Sequence, residues 1–309
     1  MLSFVARTYA DMGDVNEAMR CCLDGMELGI TAPRGGSVIS ALVGCACESI
    51  AQKPAWNIAD RLDAKSARAA ALRMEAVEAK RWPLIEAVDV DRQENNRFYL
   101  MPAFHNGNLK KTWDNADFDF DLMESDFSDY SEETPPRGLA IRAQNFWNRV
   151  QVVYYGPKTV QENSEKWMAA TRDYAKLPWG PARPEIPKPA DPLNRIVRPF
   201  FPEAEFKDVH IRAQSALLRA YLALHAYRLE KGSYPSSLNA LVTAGYLKAV
   251  PIDPFSPTRA PLCYKPDGTL WSVGPDAKND DGKPIDMQGK RGYVTIEKKG
   301  DFVARVNTW

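Results

Sequence analysis

Hydrophobic residues recur at steps of three and four through the first part of the chain, which is the spacing of amphipathic helices. The pattern predicts a helix, a turn at 12–14 and a second helix over residues 2–30. Asp14, followed three residues later by Glu17, is typical of a helix N-terminus, because such side chains satisfy free backbone amides there. We therefore expect a helical hairpin in this part of the chain.

Two further helices are predicted before residue 83. The stretch 36–52 is apolar on most faces, which predicts a buried helix. Asn57 is expected to cap a fourth helix, rich in strong helix formers, that runs to about Arg81. Pro83 would end it, because proline lacks the backbone donor that a helix interior needs.

Helical patterns resume over 137–153 and 162–176 and are followed by prolines at three-residue spacing. That period matches one turn of an extended polyproline II segment. We interpret this stretch as a spacer between domains, the alternative being a ligand for an aromatic groove. The predicted organisation is a helical domain at 1–177, a Pro-rich linker at 178–205 and a C-terminal module at 206–309.

An acidic segment at 114–133 interrupts the helical region. It holds nine acidic residues and no Lys or Arg, with aromatic residues between them. Like charges at this density resist collapse, which predicts a solvated loop. The segment is interpreted either as a loop pinned by its aromatic residues or as a docking strip for a basic protein partner.

The C-terminal module opens with the clearest helix of the chain, at 206–231, which Gly232 ends. Ser236 or Ser237 can cap a short helix after it. Turn residues then separate short apolar segments, which predicts an antiparallel sheet. Its strands are expected at 262–265, 270–273, 294–297 and 302–306.

Charge and apolar content narrow the possible partners and compartments. Forty basic residues balance forty acidic ones, and a chain without a basic excess is not expected to bind nucleic acid. The longest apolar run, 38–47, is too short to span a membrane, and the N-terminus does not resemble a signal peptide. The chain as given is expected in the cytoplasm, or exported or envelope-associated if an N-terminal segment is missing.

No motif of a common enzyme class is found in the sequence. It contains no nucleophile elbow, phosphate-binding glycine loop or metalloprotease helix motif. His210 and His225 lie fifteen residues apart on one predicted helix, about 22 Å along its axis, so they cannot share a small site. Adjacent cysteines without C-x-x-C spacing favour small buried helix residues over a zinc site. The sequence therefore favours a non-catalytic protein.

Four carboxylates crowd one Gly- and Pro-containing loop: Asp276, Asp280, Asp281 and Asp286. Calcium takes six to eight oxygen ligands from carboxylates, carbonyls and water, which such a loop can supply. The spacing differs from that of an EF-hand. From the residues alone, a calcium site and a solvated acidic turn both remain open, whereas Asp253 is expected to serve its own turn.

The order of motifs in the C-terminal module resembles the periplasmic domain of the major pseudopilin of type II secretion. That family has a helix ending in Tyr and Gly, a Tyr-Pro pair, a Pro-x-Asp-Pro-aromatic turn and a Ser-x-Gly-Pro-Asp-Gly loop. The matching residues are Tyr227, Gly232, Tyr234, Pro235, Pro251, Asp253, Pro254, Phe255, Ser272, Gly274, Pro275 and Asp276. The arrangement is also similar to a broad group of uncharacterised bacterial proteins, many from planctomycete-type genomes, that carry this module after a helical region.

This resemblance implies an α+β fold, with a mostly helical N-terminal domain followed by a long helix and a small antiparallel sheet. It implies a calcium ion in the acidic loop, although Ala277 stands where the family has Gly. It also implies a structural or assembly role in secretion or the cell envelope, with protein partners. The alternative is a hydrolase or other enzyme with a site between the two domains.

Overall fold

A computed structural model describes most of the chain. The described residues are 1–95, 97, 104, 139–180, 183–197, 201–286 and 294–306. They form two compact units: a first unit of Met1–Ala87, Leu177–Arg183 and Phe201–Trp309, and a second unit of Val88–Lys176 and Pro184–Phe200. The two ends of the chain thus share one unit, which differs from the predicted division at 178–205.

The structure is mostly helical with one small sheet, so the α+β class is confirmed at this level. The helices are α1 (Leu2–Asp11), α2 (Val15–Thr31), α3 (Val38–Ile58), α4 (Ala64–Glu78), α5 (Leu84–Asn95), α6 (Leu139–Lys176), α7 (Pro192–Val197), α8 (Phe201–Lys231) and α9 (Leu238–Thr243). The strands are β1 (Cys263–Tyr264), β2 (Leu270–Ser272) and β3 (Phe302–Val303). No helix in this described part is both long and apolar enough to cross a membrane.

Side-chain caps mark the starts of α2 and α4. The predicted start of α2 is confirmed, because the Asp14 carboxylate accepts a hydrogen bond from the Glu17 amide at 3.1 Å. The predicted cap at Asn57 is wrong. The apolar pattern carries α3 through Ile58, and Asp63 caps α4 instead, accepting from the Ser66 amide at 2.7 Å.

Helices α2 and α3 cross with their backbones in contact. A Cβ atom on Gly29 would lie 2.7 Å from the Glu48 amide nitrogen. A Cβ atom on Gly44 would lie 2.5 Å from the Gly29 carbonyl oxygen. Only glycine permits this approach, and it brings the middle of α3 close to the centre of the first unit.

Helix α3 is only partly buried, although its composition predicted burial on most faces. Ile39, Val43 and Ile50 are 71%, 57% and 58% exposed and recur at helical spacing. The opposite face carries the buried residues, including Trp56. A helix with few charges therefore presents one apolar face to the surface.

Helix α8 is the centre of the first unit. It packs against α3, α4, α9 and β2, and its apolar residues join one core with those of α1 and α2. The helix begins at Phe201, earlier than the predicted residue 206, because Pro202 is tolerated in a first turn and Phe201 is buried.

The sheet has the order β1-β2-β3 and both pairings are antiparallel. Trp271 of β2 pairs with Cys263 on one side and Val303 on the other. The strand predicted at 294–297 is wrong, because that segment turns, with the Lys298 amide donating to the Thr295 carbonyl at 3.2 Å. The sheet packs against α8 through β2.

The second unit is built on α6, which joins the two helices predicted over 137–176. Gly156, with φ +68° and ψ 167°, breaks the helical geometry just before Pro157. Asp191 caps α7, its Oδ1 accepting from the Asn194 amide at 2.9 Å. The acidic segment 114–133 and His105 lie outside the described residues.

Candidate functional site

The four predicted calcium ligands do not converge in the described loop. An Asp276 carboxylate oxygen accepts from the Lys278 amide at 3.3 Å. Asp281 has φ +61°, and its exposed carboxylate forms an ion pair with the Lys265 ammonium at 3.0 Å. Asp286 contributes a backbone carbonyl to Lys298 at 3.0 Å. The carboxylates of Asp276 and Asp281 therefore have different local partners.

Asp301, which the sequence analysis did not identify, holds the loop. Its buried carboxylate accepts from the Asp280 amide at 3.3 Å and from the Gly282 amide at 2.7 Å. Burial raises the pKa of Asp301 to about 6, and the charges of Asp280 and Asp276 add to the rise while the two amides oppose it. A polar residue placed directly before a strand is the sequence signal that could have indicated this role.

The fit of calcium to this arrangement is partial. Asp276 and Asp280 are close enough to Asp301 for their charges to raise its pKa. However, Asp281 is paired with Lys265, and backbone N–H groups occupy Asp301. Within the described ranges, no group of three His, Cys, Asp or Glu side chains could hold a metal ion. The calcium site stays a prediction of the sequence.

Asp253 stabilises its own turn, as expected, and also connects that turn to the sheet. Its Oδ1 accepts from the Phe255 amide at 3.0 Å and from the Ser272 hydroxyl at 2.7 Å, while its Oδ2 accepts from the Val273 amide at 2.8 Å. Burial raises the pKa of this carboxyl, and the three hydrogen bonds oppose the rise. The group is 1% exposed and thus acts as an internal clamp.

Part of the predicted linker packs on the C-terminal module. The indole N–H of buried Trp179 donates to the Pro275 carbonyl at 2.8 Å, and the ring packs against Phe255. Two residues of the same stretch and of α8, Arg183 and Glu205, form an ion pair at 2.5 Å with both side chains largely buried. Proline spacing predicts an extended chain but not these anchors, so this segment could not be placed from the sequence.

A line of polar side chains runs along α8 and contacts the N-terminal part of the chain through Asp208, Ser215 and Arg219. These residues follow one another at steps of three and four, which places them on one side of the helix. We call this line, its partners on α3 and α4, and Arg81 just after α4 the charged seam. Its α8 members are Glu205, Asp208, Arg212, Ser215 and Arg219.

Glu48 of α3 is the most enclosed member of the charged seam, with 0% exposure. Arg81 binds both of its oxygens, at 2.7 and 2.9 Å. The same carboxylate accepts from the Ser215 hydroxyl at 2.6 Å and from the Gln52 amide at 3.3 Å. One guanidinium nitrogen of Arg81 and two further donors therefore satisfy this buried carboxylate.

A second ion pair lies one turn further along α8. Arg219 contacts Glu78 at 2.9 Å, and both side chains are largely buried. Burial raises the pKa of Glu78, and the charges of Arg219 and Arg81 oppose the rise. Arg81 also lies 3.9 Å from Asp208, so the charges of the seam form one connected set.

The seam is poorly suited to nucleophilic catalysis. Ser215 and Glu48 are in hydrogen-bond contact, but both are 0% exposed and cannot meet a substrate as they stand. The Glu48 oxygens already accept hydrogen bonds from Arg81 and Gln52 as well as from Ser215. The arrangement is one that joins helices.

The histidines and cysteines that the structure describes have different local environments. Burial lowers the pKa of His210 to about 4, and the charge of Lys207 adds to the effect. His225 Nε2 lies 3.0 Å from the Leu62 carbonyl oxygen. Among the cysteines, Cys21 and Cys22 are buried as predicted, whereas Cys47 is exposed.

Comparisons of the chain with known proteins identify no relative. No family model, no curated protein and no solved structure matches the chain. The resemblance to the pseudopilin domain therefore rests on the sequence motifs alone.

Proposed function

We propose that this chain is a non-catalytic assembly protein whose C-terminal module resembles a pseudopilin domain and acts in secretion or the cell envelope. The observation that carries the proposal is how its buried carboxylates are used. Asp253 and Asp301 bind loop amides, and Glu48 binds Arg81. Each of these groups maintains the shape of the protein, which is the task of a structural component.

The shared core supports the same proposal. The N-terminal helices and the C-terminal module bury their apolar residues in one cluster around α8, and the charged seam adds side-chain contacts across it. A compact unit with one shared core is suited to presenting surfaces to protein partners. The proposal does not depend on bound calcium.

Deletion of the coding sequence in its own cell tests this function. We expect a changed profile of exported or envelope proteins, restored by the wild-type chain and equally by a Ser215→Ala variant, because Ser215 is not needed as a nucleophile. An unchanged profile after deletion would argue against a role in secretion or the envelope.

A second measurement tests the non-catalytic part of the proposal. The purified chain is expected to hydrolyse none of a panel of ester, phosphoester, glycoside and peptide substrates. Turnover that is lost in Ser215→Ala, with wild-type circular dichroism, would contradict it. The matched control is Asp208→Asn, which changes a polar side chain of the same helix that is more exposed than Ser215.

A further inference from the structure

The Pro-rich stretch contains a segment whose backbone has little freedom. Residues 183–189, which we call the proline segment, form neither helix nor strand, and none of them has a positive φ. Proline fixes its own φ at about −65°, and the residue before a proline is restricted to extended backbone. Prolines at 184, 187 and 189 therefore restrict every position of the segment except Glu185. These restrictions favour a polyproline II path.

Burial along the proline segment repeats every three residues. One edge is turned away from solvent, and its half-buried or buried members are Arg183, Ile186 and Pro189. The other two edges are exposed, with Pro184 and Pro187 on one and Glu185 and Lys188 on the next. Three residues make one turn of polyproline II, so the burial pattern agrees with the geometry that the prolines favour.

The two ends of the proline segment are each fixed within their own unit. In the first unit, Arg183 forms its largely buried ion pair with Glu205. In the second unit, Arg195 donates to the carbonyl oxygens of Pro189 and Ala190, at 3.2 and 2.6 Å. A segment that is already held extended loses little conformational entropy when it binds a partner.

The exposed edges of the proline segment are not used within the described part of the chain. Residues 184–188 take part in no hydrogen bond or ion pair among the described residues. Their carbonyl oxygens are therefore unpaired there, and the rings of Pro184 and Pro187 present apolar surface one turn apart. A partner could bind this surface without first breaking contacts inside the protein.

We propose that the proline segment is a preformed ligand for an aromatic-lined groove on a partner protein. Such grooves bind extended segments with two prolines spaced by one polyproline II turn, which is the arrangement of Pro184 and Pro187. The inference deepens the proposed assembly role by naming a class of partner, and it rests on that role only for the need of a protein partner.

The charges beside the two prolines favour apolar recognition. Glu185 and Lys188 lie on one edge and carry opposite charges, so this edge attracts neither an acidic nor a basic surface strongly. Contact with the proline rings must then supply most of the binding free energy. Aromatic side chains supply such contact through large apolar faces with a polar group at the edge.

Photo-crosslinking of the full chain in its own cell tests the proposal. A photoreactive benzoylphenylalanine in place of Glu185 adjoins the proline edge and is expected to form an adduct with one protein. The double variant Pro184→Ala/Pro187→Ala should lose this adduct while keeping the wild-type circular dichroism. Pro257→Ala, at an exposed proline of the first unit, is the matched control and should keep it. Absence of an adduct, or an adduct that survives the double variant, would overturn the proposal.

Titration of the full chain with the purified adduct partner tests the chemistry of the groove. The double variant should weaken binding by about tenfold or more, and so should alanine in place of the partner's groove aromatic residues. Binding that does not depend on those aromatic residues, or that added salt abolishes, would contradict an apolar groove. An unchanged profile of exported proteins after gene deletion would reject the secretion role, whereas this titration would still decide the inference.

Discussion

The charged seam and the C-terminal loops bury carboxylates in two different ways. Glu48 is satisfied by the side chains of Arg81 and Ser215, which come from distant parts of the sequence, and of Gln52 on its own helix. Asp253 is satisfied mainly by backbone amides of its own turn and of the adjoining strand. Both carboxylates are almost fully buried.

The difference concerns what each contact requires. A backbone amide is present whatever residue occupies the position, so Asp253 depends on the path of the chain. A guanidinium is present only if the turn after α4 carries Arg81 and packs correctly beside α3. We therefore expect the seam to be more sensitive to single substitutions than the loops, because losing one partner leaves an uncompensated buried charge.

The largest expected effect comes from breaking the seam. Arg81→Met leaves the Glu48 carboxyl group, with 0% exposure, without its guanidinium partner, and we expect a loss of about 3–5 kcal/mol in the free energy of unfolding. Urea unfolding followed by circular dichroism measures it.

Two variants control this experiment. Glu48→Met combined with Arg81→Met removes both charges and should recover most of the lost stability, since two apolar side chains can pack where an ion pair was. Arg20→Gln breaks an exposed ion pair and should leave the free energy of unfolding nearly unchanged. If Arg81→Met unfolds like wild type, the seam does not stabilise α8.

Lowering the pH tests a third kind of buried group, the imidazole of His210. The pKa of His210 falls from an ordinary 6.5 to about 4, so the unfolded chain binds the proton more readily than the folded one. Stability is therefore full above pH 6.5 and falls as pH drops toward 4, by about 3 kcal/mol from this residue.

Substitution of His210 isolates that contribution. His210→Leu should flatten the pH dependence of the free energy of unfolding between pH 6.5 and 4. His225→Gln, on the same helix, is the matched control for the loss of a histidine side chain. An unchanged slope in the His210 variant would show that other groups cause the acid sensitivity.

Breaking the hydrogen bonds of Asp253 should have a smaller effect than breaking the charged seam. Asp253→Asn replaces one acceptor oxygen with an N–H donor opposite a buried amide or hydroxyl, and we expect a loss of about 1–3 kcal/mol. Asp267→Asn alters an exposed turn whose carboxylate also accepts an amide, at 2.8 Å, and should cost less. Equal losses would show that burial is not what makes Asp253 important.

The smallest expected effect concerns calcium. The ion is expected to raise the Tm because it would offset the repulsion among Asp276, Asp280 and Asp301. Calcium at ten times its Kd corresponds to about 1.4 kcal/mol of stabilisation.

Calorimetry with calcium and with a chelator measures this shift. Asp280→Asn should reduce the response, and Asp60→Asn, a carboxylate on another part of the first unit, should keep it. Superimposable curves with and without the chelator would reject calcium binding.

Local signals in the sequence predicted most of the helices. The cap at Asp14 and the helix that ends before Gly232 follow from residues within one or two turns of each other. Asn57 was assigned as a cap because its side chain suits that role, yet packing of the apolar residues around it extended α3. The strand predicted at 294–297 failed for a similar reason, since two apolar residues there do not ensure a pairing partner.

The candidate sites depended on contacts that no local pattern contains. The carboxylate-rich loop was visible in the sequence, but Asp301, which holds it, follows Asp286 by fifteen residues. The partners Glu48 and Ser215 are separated by 167 positions. Spacing along one helix indicates which residues share a face, but it does not indicate which other helix covers that face.

Short-range chemistry was enough to establish the helices, most of their ends and the α+β character of the chain, because caps, turns and periodicity act over a few residues. Folding in three dimensions decided the rest. It placed residues from both ends of the chain around α8, and it brought arginine to glutamate in the interior, where an unpaired charge is costly. Burial of a shared core, rather than proximity in the chain, selects those partners.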